Sequence, residues 1–482
     1  MSPTRRCLRS WVVSSFLMTA VLEVQRRGRT EFCCPVPSFL KVARQVGTKD
    51  EDGLPFAVPF WALGSPPAGP HGGPRRLRTL KGSNGIVLDK PGKHSSESPT
   101  SFRIIVLIRT GSKILERIIV SHLLLAAQSK GMLNPNKCCS LPGLSTYDVV
   151  LTLFNNMKTL LRPCLKVSSL FLHIKAGFDN VANSTLARVL REGGISRYLV
   201  SWVWSFLGER SFTQVFQGAP GTPAHLNVGA PQVSPISPLL FLLYVSPLHF
   251  KVPRGLIISY IDDFALTAAF PSYRGNIRRL QRLFEKPEAK ALRIGVSFLV
   301  AKTELIHWRT PSQRNSSWCL SRNQIKGELF RPRDSLRWLG YWFTPALDSS
   351  THLSHRLALA PRAFALITCL GPPGAGLAPY LCHRLAMSLV APILLYGADV
   401  FTPSAGAMAP LNTFWHKVQK WTTNCFSATP NVILAVESCL SPVTLLISQR
   451  QSLAALHVVC SPPEINPATA WLHVSFPSLS PH

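Results

Sequence analysis

Ser259-Tyr260-Ile261-Asp262-Asp263-Phe264 constrains this chain more than any other stretch, because of what flanks it: Gly255-Leu256-Ile257-Ile258 on one side and Ala265-Leu266-Thr267-Ala268-Ala269-Phe270 on the other. Two short β-prone runs joined at adjacent carboxylates read as a hairpin that carries acids at its tip. Neighbouring carboxylates repel, and they are kept together mainly where a divalent cation neutralises them. The pattern therefore points to nucleotidyl transfer, in which metal ions hold the attacking and leaving oxygens.

Charge points to the same partner. The chain of 482 residues carries 52 Lys+Arg against 23 Asp+Glu, a formal charge of +29. That excess favours a polyanion, nucleic acid before a membrane surface. No apolar run reaches the roughly 18–20 residues that span a bilayer. Residues 11–24 follow Arg5, Arg6 and Arg9, but they lack a clean cleavage site and make a poor presequence. The 12 cysteines have no zinc-site spacing and read as free thiols in a reducing compartment.

Residues 1–95 show little periodicity, and 62–97 are rich in Gly, Pro, Ser and basic residues, so order is expected to begin near residue 101. Phe102–Leu107 and Val167–Ile174 read as strands. Ser112–Ala127 reads as a helix with Ser112 as N-cap and with Glu116 and Arg117 on its polar side. Further helices are expected over 145–160, 182–192, 196–207 and 239–246, the last after a Ser-Pro start signal. A basic helix follows over 273–286, then a strand or hairpin over 336–343, then a mostly helical region from 351 to 460.

The order of motifs sharpens this. Gly229-Ala230-Pro231-Gln232-Val233-Ser234-Pro235-Ile236-Ser237-Pro238 precedes the Asp pair, and Lys302-Thr303-Glu304 and Trp338-Leu339-Gly340 follow it. With Phe178-Asp179 and the Phe102-Arg103 strand, the set resembles the reverse transcriptases of non-LTR (LINE-type) retrotransposons, fungal elements most closely, over about residues 100 to 460. The resemblance implies an α+β right-hand polymerase fold with fingers and palm over 96–345, a mainly helical thumb or connection over 346–460 and a tail over 461–482. Residues 1–95 are left unassigned and poorly ordered.

It implies RNA-directed DNA polymerase activity on an RNA template with a DNA primer and dNTP, with Mg2+ or Mn2+ as cofactor, no membrane partner and an undetermined oligomeric state. The compartment is also undetermined, the family implying the nucleus and the N-terminal arginines leaving the mitochondrion open. Asp262 and Asp263 take the role of the metal-binding palm carboxylates. Arg103, Lys113, Gln232, Ser234 and Lys302 take nucleotide-binding roles, with Gln232 and Ser234 facing the pocket. Trp338, Leu339 and Gly340 form the primer grip.

The chain departs from that family at four places. The family pattern Asp-x-Lys-x-x-Phe-Asp appears as His173-Ile174-Lys175-Ala176-Gly177-Phe178-Asp179, so His173 stands where a third metal-bridging carboxylate belongs. Val233 replaces a glycine, which resists unusual φ. Pro287 interrupts the basic helix, where an interior proline costs about 3 kcal/mol. Lys137-Cys138-Cys139 replaces Gln-x-Gly. The expectation is a truncated, catalytically impaired copy, with neither an endonuclease domain before residue 95 nor a ribonuclease H carboxylate set after 460. The alternatives are a catalytically dead nucleic-acid-binding remnant and a group II intron maturase-like protein.

Overall fold

The structure, a computed structural model, describes residues 83–89 and 101–469 apart from 135, 137–140, 142, 162–164, 209, 217, 227, 311–323, 326–327, 372–376, 427 and 463–465. Lys137-Cys138-Cys139 and most of the expected linker lie outside the described residues.

Strands β1 (Ser83–Asp89) and β2 (Phe102–Leu107) pair antiparallel, and β1 runs parallel to β4 (Arg210–Phe216), which also carries β5 (Ala219–Pro220) and β6 (Ala224–Leu226). The described residues thus include a strand at Ser83–Asp89, ahead of the expected start near 101 and inside the segment left unassigned. Ile86-Val87-Leu88 is too short and too exposed to show a periodicity, and its stability comes from strands 15 and more residues away.

Helix α1 (Thr110–Ser129) starts earlier than expected. Its N-cap is Arg109, and Ser112 lies in its first turn. Helix α2 (Thr146–Leu160) is capped by Ser145. Helices α3 (Asn183–Glu192), α4 (Arg197–Leu207) and α5 (Ser237–Tyr244) fall where the periodicity places them.

The second sheet positions the site. Its order is β7 (Gly255–Tyr260), β8 (Asp263–Phe270), β3 (Lys166–His173) and β9 (Glu304–Trp308), every neighbouring pair antiparallel. Side chains alternate across a strand, so each face of the sheet takes its own cover. One face, with Val167, Phe171, Ala265 and Ala269, packs against α2 and against the hairpin of β12 (Leu336–Trp338) and β13 (Tyr341–Phe343). The other face is covered by α6 (Tyr273–Arg293), whose Asn276 amide donates to the Ser168 hydroxyl (3.0 Å).

Pro287 does not end α6. It falls on the buried stripe Ile277, Leu280, Phe284, Pro287, Ala291. Apolar contact of that stripe with the sheet offsets the lost backbone hydrogen bond.

Between β9 and β12 lies the short ladder of β10 (Gln324–Ile325) and β11 (Glu328–Leu329). After β13 the chain is helical: α7 (Ser350–Thr368), α8 (Pro379–Leu385), α9 (Ala391–Leu394), α10 (Ala405–Thr423), α11 (Asn431–Glu437) and α12 (Val443–Cys460). They share their own core, centred on Trp415, Leu411, Val390 and Leu394. No helix among the described residues is long and apolar enough to cross a membrane.

Two buried histidines make this fold sensitive to acid. His307 and His352 are 2% and 0% exposed, and burial pushes each ring from 6.5 down to about 4. His352 Nδ1 accepts from the Trp342 N–H (3.1 Å) while Nε2–H donates to the Tyr396 carbonyl (2.7 Å), a pattern only the neutral ring can make. Because the unfolded chain binds protons more readily, their contribution is complete above about pH 6.5 and is lost as pH falls toward 4. Each ring is worth about 3 kcal/mol over that window. Urea unfolding at pH 7 and pH 4.5 should show the loss, and the His352→Gln variant should lose less. Equal stability at both pH values would contradict it.

Candidate active site

The β7–β8 hairpin closes through Ile261 and Asp262, because Tyr260 pairs with Asp263. Ile261 adopts a positive φ of 55°. A β-branched residue rarely does so, and such strain concentrates at functional sites. The turn is held from the side, since the Ile174 N–H donates to the Asp262 carbonyl (2.9 Å).

Strand β3 ends beside this turn. His173 is in register with Asp263, so the two side chains leave the sheet on one face, the face that also carries Ala265 and Phe171. Nδ1 of His173 is 3.0 Å from Oδ1 of Asp263, and Nε2 is 3.4 Å from Oδ2 of Asp262. The hydrogen bond to Asp263 raises the His173 pKa, with both aspartates adding to it against burial. Burial is the main cause that raises the Asp262 pKa. The shift favours the cationic form of the ring, which between two carboxylates offsets part of the repulsion that adjacent aspartates otherwise relieve through a metal. His173, Asp262 and Asp263 are also the one group among the described residues whose ligand atoms lie close enough, within 4.8 Å, to hold a metal ion together.

The residues expected around this site are distributed unevenly. Lys302, at the end of a short turn before β9, is near enough to act electrostatically on both His173 and Asp262. The Gly229–Pro238 segment docks on the turn that follows β3. Gly229 N–H donates to the Val181 carbonyl (2.9 Å) and Ala230 N–H to that of Phe178 (2.8 Å). Gly229 has φ +96°, and a Cβ there would meet the Asp179 carbonyl oxygen at 3.1 Å. Gln232 is half-buried and donates to Asp179 (3.0 Å). Val233 is held at φ +74°, the conformation a glycine would adopt without strain.

Ser234 does not face a pocket. It is 3% exposed, and its hydroxyl donates to the buried Glu116 carboxylate, which also accepts from Ser112 (2.9 Å). Glu116 was expected on the polar side of α1 and is instead 1% exposed. A buried carboxylate needs donors, and the two serines provide them. Arg210, also buried, adds charge compensation, its pKa lowered by burial against the opposing effect of Glu116. The signal was present in the sequence, because Glu116 continues the stripe Ile119, Leu123, Ala127 at helical spacing.

Lys113 lies on α1 beside this cluster. Arg103 is placed by its backbone alone, on β2 opposite Leu88, and its side chain lies outside what is described. In the β12–β13 hairpin, Leu339 and Gly340 have φ of 50° and 82°, a two-residue turn of the I′ kind. Trp338 is a core residue, 4% exposed and packed on Phe171 at 5.3 Å between ring centroids. Its large apolar ring is stabilised there by burial. The tip is tied to the helical region, the Tyr396 hydroxyl donating to the Leu339 carbonyl (2.7 Å) and Arg356 to that of Gly340.

Residues 88–343 match the family model described as "Reverse transcriptase (RNA-dependent DNA polymerase)". Among curated proteins, the chain is similar to the "Probable RNA-directed DNA polymerase from transposon BS" of Drosophila melanogaster, 27% identical over 188 residues, covering 38% of this chain and 20% of that protein. It is also similar to the "RNA-directed DNA polymerase from mobile element jockey" of the same organism, 24% identical over 334 residues, 67% of this chain and 35% of that one. The chain therefore spans about a fifth to a third of the length of these relatives. Among solved structures, apo telomerase from Candida tropicalis aligns with TM-score 0.41 and 12% identity over 82% of this chain and 68% of that one.

Proposed function

This chain belongs to the reverse transcriptase family, and from that membership we infer that it is the RNA-directed DNA polymerase domain of a non-LTR retrotransposon, with synthesis impaired at the palm. The fold is α+β with the right-hand polymerase arrangement. We assign fingers and palm to residues 96–345, extended upstream by β1, and the thumb to the helices over 346–460. RNA template, DNA primer and dNTP are the substrates of this reading. The primer 3′ hydroxyl oxygen forms a bond to the α-phosphorus and pyrophosphate leaves.

The observation that carries the impairment is His173, whose two ring nitrogens face Asp263 and Asp262. Reverse transcriptases use a divalent metal, and magnesium takes oxygen ligands. Here one of three donors is a ring nitrogen, which brings no negative charge to a cation and is already hydrogen-bonded to one of the acids. The set does not fit a pair of magnesium ions. It suits at most one cation of the class that accepts imidazole with carboxylate. Removing fixed electrostatic stabilisation from phosphoryl transfer lowers the rate by orders of magnitude.

Primer extension on an RNA template tests the reading. Incorporation should be weak with magnesium or manganese and absent in the Asp262→Ala variant. Robust extension with magnesium would overturn the impairment. Incorporation equal to that of Asp262→Ala at every metal concentration would instead favour a nucleic-acid-binding protein without catalysis.

A further inference from the structure

Helix α6 carries a ridge of cations that catalysis does not use. Arg274, Arg278, Arg282, Lys286 and Lys290 recur every fourth residue and are all exposed. At 1.5 Å per residue they stand about 6 Å apart along the helix, over about 24 Å. The loop before β7 runs alongside this ridge. Arg279 donates to the Pro253 carbonyl, and the Lys286 and Lys290 ammonium groups lie 5.6 and 6.0 Å from the centroid of the half-buried Phe250 ring. Lys251 and Arg254 of the same loop are exposed.

The ridge is on the opposite side of the sheet from the carboxylates. Asp263 leaves β8 on the face of Ala265 and Ala269, which packs on α2 and the β12–β13 hairpin. Helix α6 covers the other face, where Asn276 reaches Ser168 and Phe264 meets Phe298 at 5.6 Å.

We propose that α6 and the Phe250–Arg254 loop form a second nucleic-acid site on the back of the palm, which takes a single strand with its phosphates along the ridge and a base on Phe250. An aromatic ring among regularly spaced cations suits a single strand, whose bases are free to stack. The apolar stripe of α6 is already buried against the sheet. The helix therefore has no face left to insert into a lipid surface, as a basic amphipathic helix at a membrane requires.

The test uses the full chain with a saturating concentration of RNA–DNA template–primer duplex, and follows binding of labelled oligouridine and oligothymidine by anisotropy over a salt series. Both should bind. The R278Q/R282Q/K286Q/K290Q variant should bind roughly tenfold or more weakly, and its log–log salt slope should fall by about 3, since each lost phosphate contact removes about 0.7. Phe250→Leu should weaken binding roughly fivefold with the slope unchanged. A preference for oligouridine assigns the site to RNA, and equal binding assigns it to single strands of either kind. Should the charge variant not fold, acetylation footprinting of the unmodified chain replaces it, with Lys286 and Lys290 expected to be protected by the oligonucleotide. The proposal is overturned if no oligonucleotide binds beside the duplex, if the charge variant binds within twofold of the unmodified chain, or if both lysines stay reactive. It is also overturned if the charge variant loses only its binding to phosphatidylserine vesicles.

Discussion

The His173→Asp, Val233→Gly double variant is expected to extend a primer on an RNA template roughly a hundredfold or more faster than the unmodified chain. An aspartate at position 173 stays in register with Asp263, and it replaces a ring that brings no negative charge with a third carboxylate. Three carboxylates at that spacing repel one another until a cation joins them. The His173→Asp change should therefore lower the melting temperature in EDTA and raise it again on adding magnesium, while the unmodified chain responds to neither. This readout does not depend on activity. Val233→Gly acts differently, relieving about 1–2 kcal/mol of strain at a φ of 74° and removing bulk from the segment beside the site. Either change alone should restore little synthesis, because each leaves the other defect in place. An unchanged rate in a folded double variant that binds magnesium would show that the block lies outside His173 and Val233.

Asp148→Ala should cost about 3 kcal/mol or more of folding stability. Asp148 is fully buried and accepts from the Ser145 N–H (2.8 Å), the Ser145 hydroxyl (3.0 Å), His457 Nε2 (3.0 Å) and Asn466 (2.8 Å). It caps α2 and at the same time ties it to α12 and to the segment after it. Alanine would leave the Asn466 amide buried without its acceptor, which costs more than the bond itself contributes. His457→Ala and Asn466→Ala should each cost less, and either combined with Asp148→Ala should cost less than the sum. A urea-unfolding loss under about 1 kcal/mol for Asp148→Ala would show that the carboxylate is dispensable.

Much of this architecture was legible in advance. The strand bounds Phe102–Leu107 were read as observed, and the hairpin with its acids at the turn came from a local pattern, as did helices α2 to α5. Such features depend on periodicities of two and 3.6 residues, which short windows reveal. The misreadings share a cause. Ser112 looked like a cap, and Glu116 like a surface acid, because Ser234 and Arg210, which complete their buried cluster, lie far downstream in the chain. Trp338, assigned to the primer grip, also packs on Phe171 far upstream, a contact that no local window contains. Pro287 looked like a break because the sheet that supports its helix is built from strands on both sides of it in the chain.

By itself the sequence determined the family, the hairpin with its carboxylates and the identity of the residue at position 173, because those are properties of residue type and local order. Only the tertiary structure decided what His173 does. The pairing of β3 with β8 brings residues 90 positions apart into register, and that register sets both ring nitrogens against both aspartates. The same alternation across the sheet decided that the basic helix covers the face away from them. Strand register between distant segments comes from the packing of whole faces, which no window of sequence contains.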